Sequence, residues 1–317
     1  MKARAIRLRM RAGAAVIDPG WYGLALGFGA TPAAWPRLHG VERRRNLSYG
    51  PLPEHRADVY RPRGAAGPLP VCVYVHGGGF RILSKDTHWL FGLMFARRGY
   101  LVVNLNYRLA PAHPYPAAVE DVARGVRWAV EQASAWGGDP TRVVLAGESA
   151  GANLVTAVAV GAAYDRPEPW AQELAGLDLK AVLPFCGLHQ VSDTERFDRA
   201  IPWYARDRIV ECEDVYLQPD SALGPGGVEL ASPLLVLERR ELPARPLPAF
   251  FLPVGTGDPL EADNERLAKA LRALGVDVEE RTYDGEIHAF QALLWRSAAR
   301  ACWRHAFAFL ERHVPAP

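Results

Sequence analysis

The chain has 317 residues, 49% hydrophobic and 23% charged, which suits a large folded core and argues against a disordered polypeptide. A net charge of +2 is too mild for a nucleic-acid binder, although Lys2, Arg4, Arg7, Arg9 and Arg11, and again Arg43, Arg44 and Arg45, form local basic runs read as solvated faces. Cys72, Cys186, Cys212 and Cys302 show neither CxxC nor metal-ligand spacing, so no disulfide framework is expected and a reducing, cytoplasmic setting fits. The first 40 residues combine a basic start with apolar stretches. Asp18 and Pro19 interrupt them, so cap helices are expected here rather than a signal peptide or a membrane span.

From about residue 45 the pattern alternates strands and helices. Short strands are expected at 46–49 and 56–60. The β-branched runs 71–75 (VCVYV) and 101–105 (LVVNL) read as strands buried on both faces. A helix is expected over 117–136, from apolar residues including Val119, Val122, Val126 and Val130 at helical spacing. A strand at 143–146 precedes a small-residue helix at 150–164. Further strands are expected at 180–185, 249–254 and 276–283, with helices at 261–274 and 297–313. This alternation predicts an α/β fold with a mostly parallel sheet covered by helices on both faces. Two segments fall outside it, 1–40 and about 188–230. Both are expected to form a cap, the second as an insertion into a core running from 41 to 317.

Three signals carry chemistry. Gly147-Glu148-Ser149-Ala150-Gly151 is a GxSxG pentapeptide set between an apolar strand and a helix. That is the context in which a serine is lifted onto a sharp turn with its hydroxyl clear of both elements. His76-Gly77-Gly78-Gly79 follows the strand at 71–75. A glycine turn there can aim consecutive N–H groups at a developing oxyanion. A nucleophilic serine also needs a base and an orienting carboxylate, in the chain order Ser, Asp, His for this kind of sheet. Asp258 and His288 each follow a predicted strand and fill those roles, making Ser149, Asp258 and His288 the expected triad. Asp263, in the following helix, is the competing acid.

These residues make the chain resemble the bacterial branch of the hormone-sensitive lipase family. The resemblance spans about residues 56 to 313. It includes Asp58-Val59-Tyr60-Arg61-Pro62, the HGGGF block at 76–80, Tyr107-Arg108-Leu109-Ala110-Pro111, GESAG, Ser232-Pro233-Leu234 and Asp258-Pro259-Leu260. It implies an α/β-hydrolase core with a helical cap, no cofactor, and hydrolysis of short-chain carboxylic esters. It also implies an oxyanion hole of Gly78, Gly79 and Ala150, with Gly77 supporting the turn. Three departures stand out. Glu148 replaces the commoner Asp, Ala289 replaces the usual glycine after the base, and residues 185–190 do not follow the family pattern. The last unsettles the pocket, for which Trp89, Trp203 and Phe290 are the candidate lining residues. Tyr107 and Arg108 are expected to be structural, and Glu148 to anchor the serine turn.

The expected partner is a small ester, with no metal ligand set, no nucleic acid and no membrane span; a homodimer stays open. The rival functions are an amidase or peptidase on the same triad and a non-catalytic receptor for a small molecule. Retention of His288 argues against the receptor.

Overall fold

The computed structural model describes residues 19–314 apart from 21, 24, 198–200 and 219–222. The basic run from Lys2 to Arg11 and the apolar segment 12–17 therefore lie outside the described residues.

Eight strands form one sheet in the order β1-β2-β4-β3-β5-β6-β7-β8. They are β1 (Val41–Ser48), β2 (Arg56–Pro62), β3 (Leu69–Val75), β4 (Leu101–Leu105), β5 (Gly138–Glu148), β6 (Leu179–Phe185), β7 (Ala249–Gly255) and β8 (Val278–Tyr283). β1 pairs antiparallel with β2, and β2 antiparallel with β4; every other pairing is parallel. The apolar runs take the middle. All seven residues of β3 and all five of β4 are buried, as expected of strands covered on both faces. β1, rich in arginine, is the exposed edge.

Residues 25–29 are helical, and after β1 and β2 come the helices α1 (Trp89–Ala96), α2 (Ala117–Gln132), α3 (Ala150–Ala163), α4 (Pro169–Gln172), α5 (Trp203–Tyr216), α6 (Pro233–Glu238), α7 (Glu261–Ala273) and α8 (Ser297–His313). The period-2 alternation of β3 divides the core into two layers. Val71, Val73 and Val75 face one layer with residues of α2, α3 and α7, while Cys72 and Tyr74 face the other with residues of α1 and α8. α3 is buried along its whole length, and its alanines, glycines and valines let it lie tight against the sheet.

Several boundaries differ from the sequence reading: β1 begins at Val41 and β5 at Gly138, each five residues earlier than expected. The expected helix 117–136 stops at Gln132; a 3₁₀ turn follows and ends at Gly137 in the left-handed region. α1 was not legible at all. Its eight residues, WLFGLMFA, are apolar all round, so they carry no helical stripe to read. No helix among the described residues is long and apolar enough to cross a membrane.

The parallel arrangement puts the ends of β3, β5, β6, β7 and β8 on one edge of the sheet. Val75 pairs with Gly147, Glu148 with Phe185, and Gly255 with Tyr283. Gly77–Gly79, Ser149, Cys186, Asp258 and His288 follow those ends, so residues more than 200 positions apart share one edge. The connection from β6 to β7 carries α5 and α6.

Candidate active site

The geometry at Ser149 explains its glycine neighbours. Its backbone is left-handed, φ 55° and ψ −115°, where a side chain is strained. Its N–H donates to Phe185 O at 2.9 Å, which pins the turn to the end of β6. A Cβ on Gly147 would lie 2.5 Å from Gly151 O, and one on Gly151 would lie 2.2 Å from Val75 O. Both contacts are with backbone, so neither flank tolerates a side chain. The helix opening at Ala150 adds the positive end of its dipole.

The glycine turn packs directly on this elbow. A Cβ at Gly77 would meet Glu148 O at 2.9 Å and Ser149 Cβ at 3.3 Å. Gly78 and Gly79 have φ of 106° and 59°, conformations open to glycine. Among the described residues, none accepts a hydrogen bond from the N–H groups of Gly78, Gly79 or Ala150. His76 does not face the chemistry: its ring stacks on Tyr107 at 4.3 Å, and Tyr107 Oη donates to His76 O at 3.0 Å. Burial holds the His76 imidazole down at about 3, so it stays neutral. Arg108 grips Asp121 through Nε at 2.9 Å and a terminal nitrogen at 2.7 Å. These contacts give Tyr107 and Arg108 a structural part in holding the loop.

His288 Nδ1 lies 2.9 Å and 3.1 Å from the two carboxylate oxygens of Asp258. Asp258 is buried, while the His288 side chain keeps 35% exposure. Asp258 Oδ1 also accepts the Leu260 N–H at 2.9 Å, which fixes the carboxylate's orientation. Burial opposes protonation of His288, but the Asp258 carboxylate and the neighbouring Cys186 together outweigh it and hold the imidazole well above its usual 6.5. Cys186 lies beside this pair, and burial pushes its own thiol up. Asp263, the competing acid, points elsewhere: it accepts from Gln190 N at 3.0 Å and from Arg196 at 3.0 and 3.1 Å.

The structure thus joins Asp258 to His288 and packs the glycine turn on Ser149. Among the described residues, no hydrogen bond links Ser149 Oγ to His288. The bridge between them runs through β6, where Phe185 holds Ser149 and the next residue, Cys186, sits beside His288 and Asp258.

Two residues of this neighbourhood escaped the sequence reading. Gln291 donates to Glu148 Oε2 at 3.3 Å and approaches Cys186 Sγ at 3.7 Å, tying the His288 loop to the residue before Ser149. The other Glu148 oxygen lies 3.3 Å from His88 Nε2. Gln291's place three residues after His288 was its only signal in the sequence, and Cys186 had none. Ala289, where glycine is usual, adopts φ 59° and ψ 24°, the conformation that favours glycine.

The three candidate pocket residues differ widely in burial. Phe290 is 1% exposed and packs on Tyr283 at 4.9 Å, supporting the His288 loop from within the core. Trp203 is 61% exposed and meets Tyr204 edge-on. Trp89 is half-buried at the start of α1, close to Gly29. α5 contributes differently: its Cys212 Sγ would lie 2.7 Å from a Cβ on Gly79, and its Tyr216 stacks on Phe80 at 3.8 Å. That helix therefore roofs the glycine turn. A cleft of about 420 Å³ lined by residues such as Arg108, His113, Tyr115 and Trp170 includes none of Ser149, Asp258 and His288.

Comparison with known proteins agrees with this geometry. A family model described as alpha/beta hydrolase fold matches residues 72–292. The chain is 32% identical to the carboxylesterase NlhH of Mycobacterium tuberculosis over 284 residues, covering 86% of this chain and 82% of that protein. It is 35% identical to the carboxylic ester hydrolase LipN of the same organism over 255 residues, covering 76% of this chain and 62% of LipN. Among solved structures, an esterase of Pyrobaculum calidifontis superposes with a TM-score of 0.75 at 27% identity, covering 95% of this chain and 94% of that one.

Proposed function

The chain belongs to the α/β-hydrolase-fold family and is a hydrolase, and from that premise we propose that it is a serine carboxylesterase acting on short- to medium-chain esters. The observation that carries the mechanism is the Asp258–His288 pair standing on the same sheet edge as a serine in a strained left-handed turn.

In this reading Ser149 Oγ attacks the ester carbonyl while His288 Nε2 takes its proton. The negative oxygen of the tetrahedral intermediate is held by the N–H groups of Gly78, Gly79 and Ala150. His288, now cationic and steadied by Asp258, protonates the leaving alcohol. A water deprotonated by the same imidazole then attacks the acyl-enzyme and releases the acid, returning the proton to Ser149 as it leaves. No step needs a metal or an organic cofactor.

The chain-length preference rests on the roof. α5 lies against Gly79 and Phe80, so the space above the oxyanion turn is bounded on that side. Residues 1–40 and about 188–230 act as the cap in this reading, and a bounded pocket suits a small acyl group better than a long one. The four cysteines are free and buried, which supports a reducing, cytoplasmic setting. The test is a panel of nitrophenyl esters from acetate to palmitate with a nitroanilide as control. Highest kcat/KM on butyrate-sized esters is expected. Greater efficiency on palmitate, or on the anilide, would overturn the assignment.

A further inference from the structure

Cys186, Asp258 and His288 form a compact set of metal-ligating side chains: one thiol, one carboxylate and one imidazole, whose ligand atoms all lie within 4.8 Å of one another. We propose that this trio is a binding site for zinc-like divalent cations and that its occupation switches the enzyme off. The inhibitory half of the proposal rests on the esterase reading; the binding half does not.

The geometry suits such an ion. His288 Nδ1 and Asp258 Oδ2 are 2.9 Å apart, against about 3.3 Å for the edge of a tetrahedron with ligands near 2.05 Å. An ion between them needs a shift of only a few tenths of an ångström in this pair; the sulfur, within 4.8 Å of both, closes a third corner by moving in by up to about 1 Å, and water fills a fourth. The sulfur selects zinc, cadmium and cobalt over magnesium and calcium, which demand an all-oxygen shell. The route in passes the partly exposed His288 ring, since Cys186 and Asp258 are buried behind it. Cys186 is held in place by a backbone φ of 42° and by the Gln291 amide at 3.7 Å, so the thiol is already aimed at the imidazole.

Binding balances simply. The ion takes the sulfur lone pair, and the thiol proton leaves to solvent. If Nδ1 coordinates, the ring proton moves to Nε2, which can then no longer accept from Ser149. If Nε2 coordinates, the lone pair that serves as the base is itself occupied. Either way the base is lost, while Ser149 and the oxyanion turn are untouched.

The experiment uses the full chain and two readouts. Cobalt(II) alone should produce a thiolate-to-metal charge-transfer band in the near ultraviolet, and that band should vanish in Cys186→Ala. Zinc chloride should inhibit hydrolysis of nitrophenyl butyrate reversibly, with relief by a chelator and no effect of magnesium. In Cys186→Ala, whose uninhibited rate should stay close to the parent's, the inhibitory constant should rise about 100-fold or more. Equal zinc sensitivity in parent and variant, or no cobalt band in the parent, would overturn the proposal. Should the ester panel fail altogether, the cobalt spectrum still decides whether the site exists. If Cys186→Ala folds poorly, Cys186→Ser serves as the second variant: its weaker ligand should give a rise in inhibitory constant and loss of the same band.

Discussion

Replacing Asp258 by asparagine tests the site most sharply, because the structure dictates how the new amide must sit. Asp258 Oδ1 accepts the Leu260 N–H at 2.9 Å, so the amide oxygen of an asparagine is retained at that position. Its NH₂ then falls where Oδ2 now lies, 2.9 Å from His288 Nδ1. A donor at the nearer position, against the oxygen at 3.1 Å, favours the tautomer with the ring proton on Nε2, the atom that must accept from Ser149. The expected loss is about ten-thousand-fold in kcat, or about 5.4 kcal/mol of barrier at 1.36 kcal/mol per tenfold. Stability should hardly change, because the amide keeps the bond to Leu260. Asp263→Asn should spare the rate. Asp263 bonds Gln190 N and Arg196, so losing its charge weakens the Arg196 pair while relieving the burial cost that holds its own carboxyl up, and kcat should stay within a few-fold. Initial rates on nitrophenyl butyrate and thermal melts of both variants separate the two effects. A severe rate loss in Asp263→Asn with a mild one in Asp258→Asn would refute the triad.

Ser149→Ala should lower turnover by about a million-fold with the melting temperature close to the parent's; residual activity within tenfold would remove Ser149 as nucleophile. Because His288 must be neutral to act as base and Asp258 raises its pKa, kcat/KM should be full at alkaline pH. It should fall as pH drops through a midpoint above the ordinary histidine value of about 6.5, and a profile flat down to pH 4 would contradict this. Ala289→Gly should raise stability by about 1 kcal/mol, since φ of 59° strains alanine; a lower melting temperature would show that the alanine methyl contributes packing that outweighs the strain. A chelator should leave the rate of metal-free enzyme unchanged, as read by initial rates before and after dialysis against it.

The fold class was legible because parallel strands buried on both faces must be continuous apolar runs, and β3 and β4 are such runs. Ser149 was legible from local rules too: the turn demands glycine at 147 and 151, where Cβ atoms would strike backbone, and those glycines stand in the sequence. Asp258 and His288 were placed by their position after strands, and the separation of Asp258 from Asp263 by loop against helix. What the sequence could not give was every contact across the sheet edge. Cys186 beside His288, Gln291 on Glu148, and α5 over Gly79 join residues distant in the chain, and no periodicity or spacing encodes such meetings. The same holds for the pocket. Phe290 was offered as a lining residue for its aromatic ring alone, and only the fold shows that this ring is buried against Tyr283. Backbone chemistry is local and can be read in order along the chain; side-chain company is decided only when the strands are laid side by side.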